Sequence, residues 1–268
     1  MESYIFDTAA PKAEARLPYG TDALQFGDLR LPAGSGPHPV IVVVHGGFWR
    51  AKYNLEHLGH MCAALTAEGV ATWSIEFRRI GNPGGAWPGT FQDVGQGADN
   101  LRQLAPTYNL DLERVIAIGH SAGGHLACWL AARKRIPARD ILGVSDPLTL
   151  KGVVSLAGVV NLKQSWQLKL GRGVTEELMG GSPAKYPERY ATASPFELLP
   201  LALRQVLVHG TEDEDVPFSI SQEYCEAAIA KGDPARLLRL PGAGHFELID
   251  PLSKEWPQIL EATLALLD

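Results

Sequence analysis

A serine with glycines on both sides is the first residue in this sequence whose type and spacing could do chemistry. Ser121 stands in Gly119-His120-Ser121-Ala122-Gly123-Gly124, after the β-branched run 115–118 and before an apolar helical stretch. G-x-S-x-G between a strand and a helix is typical of a nucleophilic serine, raised on a strained turn that small neighbours permit. The other interpretation is a plain glycine turn with a solvated serine. We favour a nucleophile that attacks a carbonyl carbon.

A serine hydroxyl is a weak nucleophile at neutral pH, so it needs a base and a carboxylate that orients the base. His245 lies in the small-residue loop Pro241-Gly242-Ala243-Gly244 that follows the last predicted strand, and it is our candidate base. Asp213 is the candidate carboxylate and Asp215 the alternative, while the glutamates of the same acidic loop are expected to be solvated. The chain order Ser, Asp, His fits this arrangement.

Main-chain amides are the expected stabilisers of the oxyanion. Two consecutive glycines, Gly46 and Gly47, follow the buried run 40–44 and permit a loop whose N–H groups point at one place. The N–H of Ala122, directly after the serine, is the expected partner donor. The alternative for the two glycines is an ordinary tight turn.

The remaining histidines and the cysteines predict no metal and no cofactor. His209 ends an apolar strand and is expected to form hydrogen bonds in the core, and His57 and His60 have helical spacing without neighbouring ligands. Cys62, Cys128 and Cys225 lie in apolar helical patterns and are expected to be buried free thiols. A reducing compartment is therefore expected.

The elements that must position these residues alternate between short β-branched runs and longer amphipathic stretches. This pattern predicts one α/β domain, a mostly parallel sheet with helices on both faces. The predicted strands are 40–44, 70–77, 115–118, 152–156, 205–208 and 235–240, and the predicted helices are 55–68, 91–104, 122–133, 219–231 and 253–267. The alternation in 23–32 predicts a half-exposed antiparallel edge hairpin. The glycine- and proline-rich segment 161–200 is predicted to be a small lid or cap insertion over the strand ends.

Composition excludes several classes of partner. The chain of 268 residues carries 24 basic and 30 acidic side chains, a net charge of −6 without runs, which argues against nucleic-acid binding. No apolar stretch approaches the length of a membrane span, and residues 1–20 have no signal-peptide pattern. We therefore expect a soluble, cytoplasmic protein without a membrane partner.

With these motifs in place, the chain from about Leu24 to its end resembles the α/β-hydrolase superfamily. His45-Gly46-Gly47-Phe48-Trp49 is similar to the HGGxW motif of kynurenine formamidases and of carboxylesterases near the hormone-sensitive lipase group, which usually have HGGG. The resemblance implies oxyanion donors at Gly47 and Phe48. It also suggests Phe48, Trp49 and Trp87 as an aromatic wall around the substrate, with the two tryptophans as substrate-binding residues; the alternative is that such aromatic residues beside a strand end only pack.

A neighbouring stretch, Phe77-Arg78-Arg79 followed by Gly84 to Thr90, is also similar to bacterial members of this group. Arg78 and Arg79 could receive a substrate carboxylate, or they could pair with Asp93 or Glu76.

The sequence thus predicts a metal-independent serine hydrolase that cleaves small-acyl carboxylic esters through an acyl-enzyme. The alternative is an arylformamidase that hydrolyses N-formylkynurenine. A peptidase of the prolyl-oligopeptidase type comes third among enzymes, because no propeller domain precedes the catalytic part. A non-catalytic ligand receptor on the same fold is the alternative from another class. The expected partner is a small ester or formamide, and a homodimer is left open.

Overall fold

The strand His38–Val44 shows how the sheet is buried. Its valines and isoleucine alternate between the two faces, so that Val40 and Val42 join one apolar core while Ile41 and Val43 join the other. Both faces of a parallel sheet must be covered, and the continuous β-branched run places apolar side chains on both faces. The structure, a computed structural model, describes residues 4–268.

Eight strands in the described residues form one sheet. They are β1 (Ala15–Pro18), β2 (Phe26–Arg30), β3 (His38–Val44), β4 (Ala71–Ile75), β5 (Leu110–His120), β6 (Gly152–Leu156), β7 (Arg204–Gly210) and β8 (Ala235–Leu240). Their spatial order is β1-β2-β4-β3-β5-β6-β7-β8. The pairs that involve β2 are antiparallel and all other pairs are parallel. This confirms the predicted mostly parallel sheet.

The helices return the chain between parallel strands. They are α1 (Tyr4–Asp7), α2 (Gly59–Ala67), α3 (Gly89–Asp99), α4 (Leu101–Tyr108), α5 (Ala122–Ala132), α6 (Leu162–Gln167), α7 (Leu170–Met179), α8 (Pro187–Ala193), α9 (Pro195–Leu198), α10 (Phe218–Ala230) and α11 (Trp256–Leu264), with 3-10 turns at Leu55–Leu58, Arg133–Arg135 and Glu247–Ile249. Helices α3, α5 and α10 pack on one face of the sheet and α2 and α11 on the other. Helices therefore cover both faces, as predicted.

Several element boundaries differ from the prediction for local reasons. The predicted helix 91–104 is longer at both ends: it forms α3 and α4 and stops where Asn109 adopts a left-handed conformation with φ 48°. Strand β5 begins at Leu110, because its polar first half pairs with the start of β3 across a register shift. Helix α11 begins only at Trp256, where Pro257 suits the first turn.

The N-terminal hairpin is antiparallel, but the prediction of a half-exposed edge was wrong for β2. Strand β2 lies between β1 and β4, and its polar side chains are covered. Asp28 accepts two hydrogen bonds from Arg16, and Arg30 donates to the carbonyl oxygen of Pro11. Arg16 of β1 and the segment before β1 therefore cover the polar side chains that the alternation had assigned to solvent.

The segment 161–200 forms α6 to α9 and packs beside the loop that follows β3. Arg50 pairs with Glu177 at 2.8 Å, and a Cβ atom at Gly171 would lie against the ring of Phe48. Its role as a lid stays a prediction.

The helices in residues 4–268 do not meet the requirements of a membrane span. None of them is both long enough and apolar enough to cross a bilayer.

Candidate functional site

Ser121 lies between the end of β5 and the start of α5. Its backbone has φ 56° and ψ −121°, a conformation that costs energy for any residue with a side chain, and its N–H donates to the carbonyl oxygen of Leu156 at 2.8 Å. A Cβ atom at Gly123 would overlap the carbonyl oxygen of Val44, so only glycine fits at position 123. The sequence G-x-S-x-G thus builds the strained turn that it predicted.

Asp213 and His245 are joined by a short hydrogen bond. Nδ1 of His245 lies 2.6 Å from Oδ2 of Asp213, and the other carboxylate oxygen accepts the N–H groups of Asp215 and Val216 at 2.9 and 2.8 Å. Burial of Asp213 acts to raise the pKa of its carboxyl, but hydrogen bonds from His209 and His245 outweigh burial and hold this pKa well below the usual value. Asp213 is therefore an ionised acceptor for the imidazole.

Asp215, the alternative carboxylate, lies on the exposed part of the same loop. It lines the cavity beside Ser121, but it makes no hydrogen bond to His245 within the described residues. Glu212 and Glu214 are exposed, as the sequence predicted for solvated loop charges. The geometry thus distinguishes Asp213 from its acidic neighbours.

His209 is fully buried and forms core hydrogen bonds, as predicted. Its Nδ1 lies 2.7 Å from the hydroxyl of Ser221, and its Nε2 donates to the carbonyl oxygen of Val216 at 2.9 Å. The same Nε2 is 3.3 Å from Oδ2 of Asp213. His209 therefore fixes the loop that carries the carboxylate.

Ser121 and His245 line one small cavity of about 90 Å³. Because Nδ1 of His245 is engaged by Asp213, Nε2 is the ring nitrogen left for a reacting group. No hydrogen bond joins this nitrogen to the Ser121 hydroxyl in residues 4–268, a contact that often forms only when substrate is bound. The ring of His245 is held from behind by His120, 4.4 Å away between ring centroids.

The sequence analysis did not assign five lining residues to this cavity: Phe6, Tyr53, His57, His120 and Phe246. Phe246 follows the candidate base directly and could have been found by proximity to it. Phe6 comes from α1, and no local pattern indicates that this short helix reaches the cavity. Burial, then the neighbouring His45, lowers the pKa of His57 to about 4, so this ring is neutral at pH 7.

Two of the three predicted oxyanion donors line the cavity with Ser121, and the third follows Ser121 directly in the chain. Gly47 and Phe48 line the cavity and both have left-handed backbones, with φ 101° and 51°. Ala122 is buried at the first position of α5, where an N–H has no partner in its own helix. In the described part of the chain, the N–H groups of Gly47, Phe48 and Ala122 make no hydrogen bond. These three amides are thus unpaired.

The two tryptophans proposed to bind substrate lie elsewhere. Trp49 is buried and its Nε1 donates to Nδ1 of His125 at 3.2 Å, so it packs beneath the loop. The ring of Trp87 packs against Phe91 and under Arg189, and neither tryptophan lines the cavity. Their placement corresponds to the packing alternative.

Arg78 and Arg79 are engaged by carboxylates of the protein itself. Arg78 makes a two-pronged contact with the buried Asp93, with 2.7 Å between Nη2 and Oδ1. Arg79 lies 3.0 Å from Glu76. These contacts correspond to the pairing alternative and not to a substrate carboxylate site.

His57 and His60 do not share a metal-like arrangement. His60 Nε2 lies 2.8 Å from the carbonyl oxygen of Thr8, whereas the ring of His57 stacks near Phe6. In residues 4–268, no group of three or more histidine, cysteine or carboxylate side chains is arranged to hold a metal ion.

Comparison of the sequence with known proteins finds esterases. The chain is 26% identical over 261 residues to a probable isoprenylcysteine alpha-carbonyl methylesterase of Oryza sativa subsp. japonica, covering 93% of this chain and 62% of that protein. It is 26% identical over 245 residues to esterase LipC of Mycobacterium tuberculosis, covering 88% of this chain and 60% of that protein. The chain thus spans about three fifths of the length of these relatives.

Comparison of the structure with solved structures also finds esterases. A truncated carbohydrate esterase from gut microbiota superposes with a TM-score of 0.81 at 20% identity, covering 97% of this chain and 98% of that one. This likeness shows the α/β-hydrolase fold that the sequence predicted. The model of the BD-FAE family matches residues 28–227, three quarters of the chain and all of β3 to β7. The chain therefore belongs to the BD-FAE family of the α/β-hydrolase superfamily.

Proposed function

We propose that this protein is a serine esterase that cleaves small-acyl carboxylic esters through an acyl-enzyme. The observation that carries the proposal is the 2.6 Å contact between Oδ2 of Asp213 and Nδ1 of His245. The imidazole of His245 lines the same cavity as Ser121. A nucleophile, a base and an orienting carboxylate are the parts that acyl transfer requires. The esterases among the relatives support the same activity.

In the proposed mechanism Ser121 attacks the ester carbonyl while Nε2 of His245 takes the hydroxyl proton. Asp213 holds the proton of Nδ1 and stabilises the imidazolium that forms. The N–H groups of Gly47, Phe48 and Ala122 would donate to the oxyanion of the tetrahedral intermediate. His245 then gives its proton to the leaving alcohol, and water attacks the acyl-enzyme with the same ring as base.

The size of the cavity favours short acyl groups. A volume of about 90 Å³ is well below the roughly 300 Å³ or more of sites for drug-sized ligands. Phe48, Tyr53 and Phe246 give it apolar walls. An acetyl or propionyl group suits such a space better than a long chain.

The experiment that tests this proposal is the substitution Ser121→Ala. We expect it to reduce p-nitrophenyl acetate hydrolysis to the uncatalysed rate while the thermal midpoint stays near that of the wild type, because the turn already holds a small side chain. Ser155→Ala, a buried serine on the neighbouring strand β6, is the matched control and keeps activity. Retained hydrolysis in Ser121→Ala would refute the nucleophile. N-formylkynurenine turnover far above ester turnover would replace the esterase with the arylformamidase alternative.

A further inference from the structure

A buried histidine and a buried carboxylate lie together at the start of the loop that carries the proposed oxyanion donors. Val44 and Ile75 are register partners in the parallel strands β3 and β4, so the next residues, His45 and Glu76, leave the sheet side by side. Nε2 of His45 lies 3.0 Å from Oε1 of Glu76, and both side chains are at most 2% exposed. Register alone therefore brings a histidine and a carboxylate together in the interior.

The carboxylate of this pair is surrounded by donors. Oε1 of Glu76 also accepts the N–H of Phe77 at 2.9 Å and lies 3.0 Å from Nη1 of Arg79, while Oε2 accepts the N–H of Leu55 at 3.2 Å. Burial acts to raise the pKa of Glu76, but His45, Arg79 and the N–H of Phe77 outweigh it, and the pKa is lowered. Glu76 is therefore ionised, and it acts as an acceptor only.

The other ring nitrogen of His45 also faces an acceptor. Nδ1 lies 2.9 Å from the carbonyl oxygen of Gly46, which cannot donate. Each ring nitrogen of His45 therefore has an acceptor oxygen within hydrogen-bond distance, and a ring nitrogen can donate to an acceptor only when it carries a proton. Of the other titratable groups, His57 approaches this ring edge-on, 6.0 Å between centroids, and it is neutral at pH 7.

The bond to the Gly46 carbonyl fixes the orientation of the next amide. In a trans peptide the C=O and N–H groups point in opposite directions, so a carbonyl held toward His45 turns the N–H of Gly47 the other way. Gly47 lines the cavity, and a Cβ atom at Gly46 would lie 3.1 Å from Cβ of Ser121. This peptide plane thus stands against the serine, with its N–H on the side away from the histidine.

We propose that His45, held as an imidazolium by Glu76, is a positioning residue that fixes the Gly46–Gly47 peptide plane so that the Gly47 N–H faces the oxyanion. The proposal rests on the proposed function, and it adds a buried ionic support beneath the oxyanion site. The residue does not touch the substrate. It acts by keeping a glycine peptide, which is otherwise free to rotate, in the one orientation that donates.

The kinetic test compares His45→Leu with His45→Asn. Leucine removes the donor, and we expect kcat for p-nitrophenyl acetate to fall about 100-fold while KM changes less than about threefold, as for the loss of one oxyanion donor. Asparagine keeps an N–H at the δ position, so kcat of His45→Asn should be at least about tenfold higher than kcat of His45→Leu. His38→Leu, at the opposite end of the same strand, is the matched control and keeps kcat within about threefold.

A kcat for His45→Leu near that of the wild type, or no recovery in His45→Asn, would overturn the positioning role.

A second measurement needs only the wild-type protein, labelled with ¹⁵N-histidine. Both ring nitrogens of His45 should give protonated resonances at pH 7, and a singly protonated ring overturns the proposal even if no variant folds. A doubly protonated ring in a protein without ester turnover would instead refute the proposed function and leave the buried pair itself established.

Discussion

Asp213 reaches the ring of His245 at 2.6 Å, whereas Asp215, two residues further along the same loop, is exposed. The difference arises because Asp213 turns back into the loop and accepts the N–H groups of Asp215 and Val216. A carboxylate fixed in this way loses little freedom when it orients an imidazole. The loop thus separates two similar side chains by hydrogen bonding.

Exchange of these two carboxylates for amides should have unequal effects. Asp213→Asn should lower kcat for p-nitrophenyl acetate by about 10⁴-fold, because an amide stabilises the wrong tautomer of His245. Asp215→Asn, the matched control, should change kcat less than about fivefold. Steady-state kinetics on both variants checks this, and the reverse ranking would assign the role to Asp215.

Phe6 lines both the cavity beside Ser121 and a larger groove. The cavity of about 90 Å³ and the groove of about 770 Å³ share Phe6, Tyr53 and His57 as lining residues. Phe6→Ala should join the two spaces and raise kcat/KM for p-nitrophenyl hexanoate relative to the acetate by about tenfold, the scale of a methylene-sized change in a pocket.

The control for this change is Ile229→Ala, which trims an exposed apolar side chain on α10. It should leave the ratio of hexanoate to acetate unchanged. An unchanged ratio in Phe6→Ala as well would show that this ring does not limit the acyl group.

The buried His125 should make stability depend on pH. Burial lowers its pKa from 6.5 to about 4, and its Nδ1 accepts the N–H of Trp49 only when it is unprotonated. The unfolded chain therefore binds a proton near pH 6.5 and the folded chain only near pH 4. The contribution of His125 to the free energy of unfolding is therefore fully present above pH 6.5. It is lost as the pH falls from 6.5 to 4, and the free energy of unfolding decreases by about 3 kcal/mol over that range.

Urea unfolding at several pH values measures this dependence. His125→Gln keeps an acceptor for Trp49 and a donor for the Ala193 carbonyl, so its free energy of unfolding should fall less steeply between pH 6.5 and 4. The variant still has the contribution of His57, whose pKa is also about 4, so its slope is reduced but does not vanish. Equal slopes in variant and wild type would contradict the assignment to His125.

The buried thiols should be unreactive in the native protein. Burial raises the pKa of Cys62 to about 11 and that of Cys128 to about 12, so both are thiols and not thiolates at pH 8. Iodoacetamide at pH 8 should leave these two unmodified, and denatured protein should react at all three cysteines. Intact-mass measurement shows the result, and native labelling of Cys62 or Cys128 faster than unfolding would contradict it.

Local sequence was sufficient for much of this protein. The predicted runs 152–156 and 235–240 have the bounds of β6 and β8, because a short run of mostly apolar residues between turns leaves few alternatives. The turn around Ser121 could also be inferred, since its conformation depends on neighbouring glycines. Each of these features is set by residues close together along the chain.

Tertiary structure decided what depends on distant parts of the chain. The choice between Asp213 and Asp215, the burial of Trp49 and the arrival of Phe6 at the cavity follow from packing, which no short pattern contains. The pairing of His45 with Glu76 follows from the register of β3 against β4. A slip of one residue in that register would turn the side chains to the opposite face, so only the assembled sheet brings the imidazole and the carboxylate together.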